Sequence, residues 1–183
     1  LAGERPSSEE GDRYDVREAL NLPAPIQRKI PLLIGGSGPK VTLRLVAQYA
    51  DMNNLGNPIE PLRTSDAILQ AHCARLGRDE KTIERTVELQ RVVLRDTREA
   101  ALAREAELLE SNGGARDDAD RPGSAGVGSD RTIAGTPDEV VEQLKPYVEA
   151  GYRHLNCGFP PPYDDETMRR MATEVRPALE ALV

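Results

Sequence analysis

The stretch IPLLIGGSGPK, residues 30–40, decides the fold. Its first five residues form a short apolar run closed by Gly35 and Gly36, and a run of that length suits a strand buried on both faces of a parallel sheet. A helix is expected after the bend, because Pro39 is tolerated in a first helical turn and Val41, Leu45, Val46 and Tyr49 fall on one side. A strand running through a glycine-rich bend into a helix is where α/β proteins place ligands. Glycines let the backbone approach an anion, Ser37 offers a hydroxyl, and the free N–H groups and dipole of a helix start favour negative charge. A phosphate site is therefore one reading of residues 35–38; the other is a tight turn that needs a positive φ at Gly35 or Gly36. The bend lacks the Gly-Lys-Ser/Thr order of a nucleotide-binding loop and the spacing of a dinucleotide fingerprint.

Outward from this segment the chain repeats the same order. Residues 52–55 read as a second strand. Pro61 opens a helix with Leu62, Leu69, Cys73 and Leu76 on one stripe, closed by Gly77. Residues 86–94 read as a third strand, followed by an Ala- and Glu-rich helix at about 97–110. Thr136, Pro137 and Glu139 form a capping box ahead of a helix that buries Val140, Leu144 and Tyr147 and stops at Gly151. Residues 154–159 are a fourth strand. Asp164, Asp165 and Glu166 place negative charge on the first turn of a last helix, whose expected buried stripe is Met168, Ala172, Val175, Leu179 and Leu182. Two segments stand apart: residues 1–29, a polar and Pro-punctuated lead-in expected to be extended, and residues 111–131, a Gly- and Asp-rich loop expected to be mobile. Four strand-helix units over 30–183 give α/β order, parallel strands and right-handed crossovers. They suit either a small open sheet or half of an eight-stranded β/α barrel.

Composition narrows the function. The chain has 183 residues, enough for one core, and 24 basic against 31 acidic residues leave a net charge of -7, which disfavours a phosphate-backbone binder. No apolar run approaches the ~20 residues of a membrane helix, and no secretory signal opens the chain, so a cytoplasmic protein acting on a small molecule is expected, with no membrane or nucleic-acid partner. Two cysteines and two histidines, far apart, argue against a Cys/His metal site and a disulfide framework. A chain beginning at Leu1 is expected to be a processed product or a piece of something longer.

The segment IPLLIGGSGPKVTLRLVAQYADMNNL, residues 30–55, resembles the central part of the luciferase-like flavin and deazaflavin oxidoreductases, above all the branch that uses coenzyme F420. AHCARLGRD (residues 71–79) is similar to the helix and turn that follow in these proteins. GTPDEVVEQLKPYVEAGYRHL (residues 135–155) is similar to their penultimate helix and last strand. The three matches occur in order between about residue 22 and residue 183. Members are complete (β/α)8 TIM barrels, so the resemblance implies that this chain corresponds to the C-terminal half, strands five to eight. It further implies that Gly35, Gly36, Ser37 and Gly38 hold the cofactor phosphate, with Thr42 as a weaker addition. Asn54, near the end of the second strand where a side chain can point into the mouth of a barrel site, is a further candidate cofactor contact. The implied activity is hydride exchange between coenzyme F420 and an organic substrate, with an FMN-dependent monooxygenase as the alternative in the same fold.

The remaining candidates have weaker claims. Asn53 stands beside Asn54 near a strand end, where Asn is often only turn-forming. Asn156, Cys157 and Phe159 lie toward the C-terminal end of the last strand but suit core packing. His154 starts that strand, at the end opposite a barrel site, and His72 suits a satisfied surface position on its helix. No catalytic residue is singled out. A half-barrel also leaves two sheet edges and an inner face uncovered, so a non-catalytic phosphate-binding chain that closes with a second copy or with the missing barrel half is a reading from another class. Without strands one to four, turnover by the isolated chain is expected to be lost.

Overall fold

The computed structural model of the chain describes residues 5–183 apart from 6, 10, 12, 21, 24, 25, 28, 57, 90, 112–131 and 160. It divides into two compact units, Leu1–Leu32 and Leu33–Val183. The described residues of the first unit double back instead of running extended: the Ser8 amide donates to the Val16 carbonyl at 2.8 Å, and the Val16 amide donates to Ser8 Oγ at 2.8 Å. The expected mobile loop 111–131 lies outside the described residues except for Ser111, which ends a helix.

The second unit is built on a parallel sheet of four strands, β1 (Leu33–Gly35), β2 (Met52–Gly56), β3 (Glu84–Leu89) and β6 (His154–Cys157), in that spatial order. Two further strands, β4 (Arg91–Leu94) and β5 (Thr132–Gly135), pair parallel with each other. Helices α1 (Thr42–Tyr49), α2 (Ile59–Leu76), α3 (Arg98–Ser111) and α4 (Pro137–Glu149) follow β1, β2, β4 and β5. The chain closes with α5 (Asp165–Arg170), a π-helical stretch Met171–Val175, and α6 (Arg176–Glu180).

Several expectations are corrected here. The single strand expected over 86–94 is two strands, one ending at Leu89 and the next beginning at Arg91: β3 pairs with β2 and β6, whereas β4 pairs with β5. Strand β5 was not anticipated, because four residues beside a long Gly-rich tract carry too short a pattern to register. The four-unit count thus becomes six strands in two sheets. β1 is shorter than residues 30–34 and is not buried on both faces; it is an edge strand whose Leu33 is 46% exposed. α1 starts at Thr42 and buries Leu43, Val46 and Ala47, while Val41 and Tyr49 are exposed, so its stripe is rotated from the expected one. In α2, Leu62, Leu69 and Cys73 are buried as read, but Leu76 is exposed.

Strand alternation sorts the side chains of the sheet. On β2, Asn53 and Leu55 are buried on the helix-covered face, and Met52 and Asn54 lie on the opposite, open face. The main core gathers Leu55, Val87 and Leu89 from the sheet with Leu62, Val140 and Leu144 from the helices. At about 2 kcal/mol for each large aliphatic side chain removed from water, these residues dominate the stability of the unit. A second cluster packs Val46 and Ala47 of α1 against Leu69 and Cys73 of α2, with Ile34 of β1 resting on it.

The last helical segment buries Val175 and Leu179, but Met168 and Leu182 stay 39% and 46% exposed and Ala172 is exposed too. Met168 and Ala172 line a groove of about 960 Å³ beside the unpaired edge of β6, together with Leu155 and Phe159. The expected stripe is thus buried only at Val175 and Leu179; among the described residues, nothing covers the rest of it.

Candidate functional site

The site grows from the end of β1. Gly36 sits at φ 109°, a left-handed backbone that side-chain-bearing residues avoid, and this turns the chain out of the sheet. Its amide donates to the Asn54 carbonyl at 3.0 Å, so Gly36 supplies conformation and not a free donor. Five carbonyls of the bend are engaged. Asn53 Nδ2 donates to the Ile34 carbonyl at 2.9 Å and to the Gly36 carbonyl at 3.5 Å. The Leu43 amide donates to the Gly38 carbonyl at 3.0 Å, His72 Nε2 to the Pro39 carbonyl at 2.8 Å, and the Leu45 amide to the Val41 carbonyl at 3.0 Å. What remains are the amides of Ser37, Gly38, Lys40, Val41 and Thr42, which donate to no partner among the described residues. Donors exposed in series at a helix start, with no acidic residue in its first turn, are an arrangement that suits a negative charge. Lys40 adds an exposed cation.

The bend is a tight turn with its positive φ at Gly36, and it also presents free donors. Thr42 opens α1 and stands close over Gly38, where an added Cβ would lie 2.8 Å from its Oγ1. The AHCARLGRD segment explains why α1 points as it does. Gly77, at φ 64°, caps α2; Arg78 then donates from its guanidinium to the Ala47 carbonyl at 3.1 Å and the Ala50 carbonyl at 2.6 Å; and Asp79 caps the short turn Glu80–Thr82. Arg78 therefore satisfies the C-terminal carbonyls of α1 and places a positive charge at the negative end of its dipole.

Asn54 belongs to the open face. Its Oδ1 accepts from Thr86 Oγ1 at 2.7 Å and from Asn156 Nδ2 at 3.2 Å, which fixes the amide and leaves its Nδ2 directed to the open side. Register places Asn54 opposite Gly35, where an added Cβ would meet only the Asn54 carbonyl at 3.9 Å. The sheet is therefore bare beside this amide and just below the bend. Glu88, exposed, shares the face at the C-terminal end of β3. His154 pairs with Glu84 at 3.3 Å, at the beginning of both strands and away from the bend. Cys157 packs against the core, and burial pushes its thiol up to about 11, which keeps it protonated and unreactive at neutral pH. Among the described residues, no group of three or more His, Cys, Asp or Glu is placed to hold a metal ion.

The pleat separates Asn54, the expected contact, from Asn53, which turns to the helix-covered face, as period-two alternation requires. The bracing role of His72 and the Asn54–Thr86–Asn156 network were missed, because each joins residues at least 32 positions apart.

The profile of the luciferase-like monooxygenase family matches residues 1–154. The chain belongs to this family. A relative, the F420-dependent glucose-6-phosphate dehydrogenase of Microbacterium testaceum (strain StLB037), is 28% identical over an alignment covering 97% of this chain and 56% of that protein. Among solved structures, an F420-dependent secondary alcohol dehydrogenase in complex with an F420-acetone adduct superposes with a TM-score of 0.72 at 16% identity, covering 97% of this chain and 57% of that one. The oxygenating constituent of 3,6-diketocamphane monooxygenase from Pseudomonas putida, in complex with FMN, superposes with a TM-score of 0.59 at 17% identity, covering 93% and 57%. At such identities it is the fold that is shared, the TIM barrel of luciferase-like enzymes. The chain spans about half the length of these relatives. The sheet order β1-β2-β3-β6, with both outer edges unpaired among the described residues, is what half of a luciferase-like barrel leaves. No helix of the described residues is long and apolar enough to cross a membrane.

Proposed function

We propose that this chain forms the cofactor-phosphate end of an F420-dependent oxidoreductase in which hydride passes between the deazaflavin and a small organic substrate. The observation that carries the reading is the bend after β1, where the carbonyls of Ile34, Gly36, Gly38, Pro39 and Val41 are engaged while the amides of Ser37, Gly38, Lys40, Val41 and Thr42 have no partner among the described residues. The cofactor phosphate accepts from these amides and from Ser37 Oγ, and Lys40 balances part of its charge. Gly35 leaves room for a planar ring against the sheet, and the Asn54 amide, held by Thr86 and Asn156, offers it a hydrogen bond. The cofactor supplies the hydride chemistry; the chain supplies position and polarity.

What favours the deazaflavin is the 28% identity to a relative named for F420. The FMN-dependent alternative is supported by the fold neighbour bound to FMN. Titrating the chain with each cofactor separates them: tighter binding of F420 is expected, and tighter binding of FMN would overturn the choice. Both require the phosphate, so removing it from either ligand is expected to cost at least tenfold in affinity, about 1.4 kcal/mol. The purified chain is expected to bind without turnover, the open face of its sheet forming only part of a pocket. As partner, we propose either a second copy or the other half of a barrel, on the free edges of β1 and β6; a cytoplasmic location goes with this reading.

A further inference from the structure

We infer that His72, on α2, is a positioning residue for the anion-binding bend, acting together with Asn53 of β2; the inference rests on the phosphate reading of that bend. In a planar trans peptide the C=O of one residue and the N–H of the next point in opposite directions. Whatever grips the carbonyl therefore aims the following amide the other way. His72 Nε2 donates to the Pro39 carbonyl at 2.8 Å, which turns the Lys40 N–H outward; Asn53 Nδ2 donates to the Gly36 carbonyl at 3.5 Å, which turns the Ser37 N–H outward. Two of the five free donors are thus aimed by side chains that lie outside the bend, one on β2 and one on α2.

The two braces are built differently. Asn53 is fully buried, and its Oδ1 has no hydrogen-bond partner, so the side chain is retained at the cost of an unsatisfied acceptor for what its amino group holds. His72 is half-buried and reaches across from a helix that Arg78 ties to the far end of α1. The α2 segment therefore grips α1 at its end and the bend at its beginning. Losing the His72 bond frees the peptide between Pro39 and Lys40 to rotate, and a rotated peptide presents a carbonyl oxygen to the anion where an amide stood. The loss should be felt by the phosphate and not by the ring.

The test compares the unsubstituted chain with His72→Leu and with His72→Gln, whose amide nitrogen can take the place of Nε2. Each is titrated with coenzyme F420, with the same deazaflavin lacking its phosphate, and with inorganic phosphate. Backbone amide resonances of Ser37, Gly38 and Lys40 are followed by NMR, and melting temperatures are recorded. The expected result is a loss of about five- to tenfold for F420 and phosphate in His72→Leu, with no change for the phosphate-free deazaflavin and recovery in His72→Gln. The Lys40 resonance should shift in His72→Leu before any ligand is added. Equal losses for both deazaflavins, or none for either, would overturn the positioning role while leaving the phosphate reading intact. An unsubstituted chain that gains nothing from the phosphate, with Ser37, Gly38 and Lys40 unmoved by inorganic phosphate, would overturn the phosphate reading and this inference with it.

Discussion

Gly35 and Gly36 are neighbours with different duties. At Gly36 a side chain is opposed by the backbone itself, since φ is 109° and an added Cβ would also crowd Thr42 Cγ2 at 3.4 Å. At Gly35 the backbone is ordinary and the space above it is open. Gly36→Ala is therefore expected to destabilise the chain by roughly 1 kcal/mol, read as a lowered urea midpoint with unchanged slope. Gly35→Ala should leave that midpoint in place and weaken deazaflavin binding, because its methyl occupies the face on which the ring rests. If Gly35→Ala bound the cofactor as the unsubstituted chain does, the ring would have to lie elsewhere. Thiol chemistry belongs to the same scale: Cys157, pushed up to about 11 by burial, and Cys73, raised likewise by burial, should react slowly with iodoacetamide at pH 7 in the folded chain.

Among the elements, α4 has the strongest start. Thr136 Oγ1 accepts from the Glu139 amide at 3.3 Å, and Glu139 Oε2 accepts from the Thr136 amide at 2.9 Å, so two orphan donors are satisfied by a reciprocal pair. Thr136→Ala should cost about 1 kcal/mol in denaturant unfolding, and a loss indistinguishable from zero would mean the cap is idle. The join between β4 and α5 is electrostatic. Burial works to raise the Asp164 pKa, but hydrogen bonds from Arg95 and Thr167 and the charges of Arg95 and Arg104 outweigh it and hold the carboxyl below its ordinary value. A carboxylate depressed in the folded state contributes stability above its unfolded pKa, about 3.9, and loses that contribution as pH falls through the folded value. The stability gap between the unsubstituted chain and Asp164→Asn should be full at neutral pH and shrink below about pH 4. A gap that stayed constant down to pH 2 would exclude this linkage.

Taken as a whole, the second unit has a sheet whose β1 and β6 edges have no strand partner among the described residues, and a groove beside β6 lined by Met168, Ala172 and Phe159. Unpaired edges and uncovered apolar surface favour association. The chain, 20.0 kDa by mass, is expected to sediment as a larger species at micromolar concentration, and Met168→Lys should shift it toward the monomer. A chain that stays monomeric at every concentration would remove the basis for the partner proposed here.

What the sequence determined by itself is local and periodic. The apolar run before Gly35, the Thr136 capping box, the stop at Gly77 and the stripe Val140, Leu144 and Tyr147 are written within a few residues, because strand, cap and helix patterns repeat over two to four positions. The strand-bend-helix order of residues 33–49 is legible in the same way. Only the tertiary structure decided what lies more than a turn away in sequence: that β3 and β4 pair into different sheets, that Asn53 holds the bend while Asn54 faces the open side, and that His72 reaches Pro39 across 33 positions. The reason is physical. Local patterns specify which face of an element is apolar, but which carbonyl a distant side chain meets depends on how the helices pack on the sheet, and no short-range spacing encodes that.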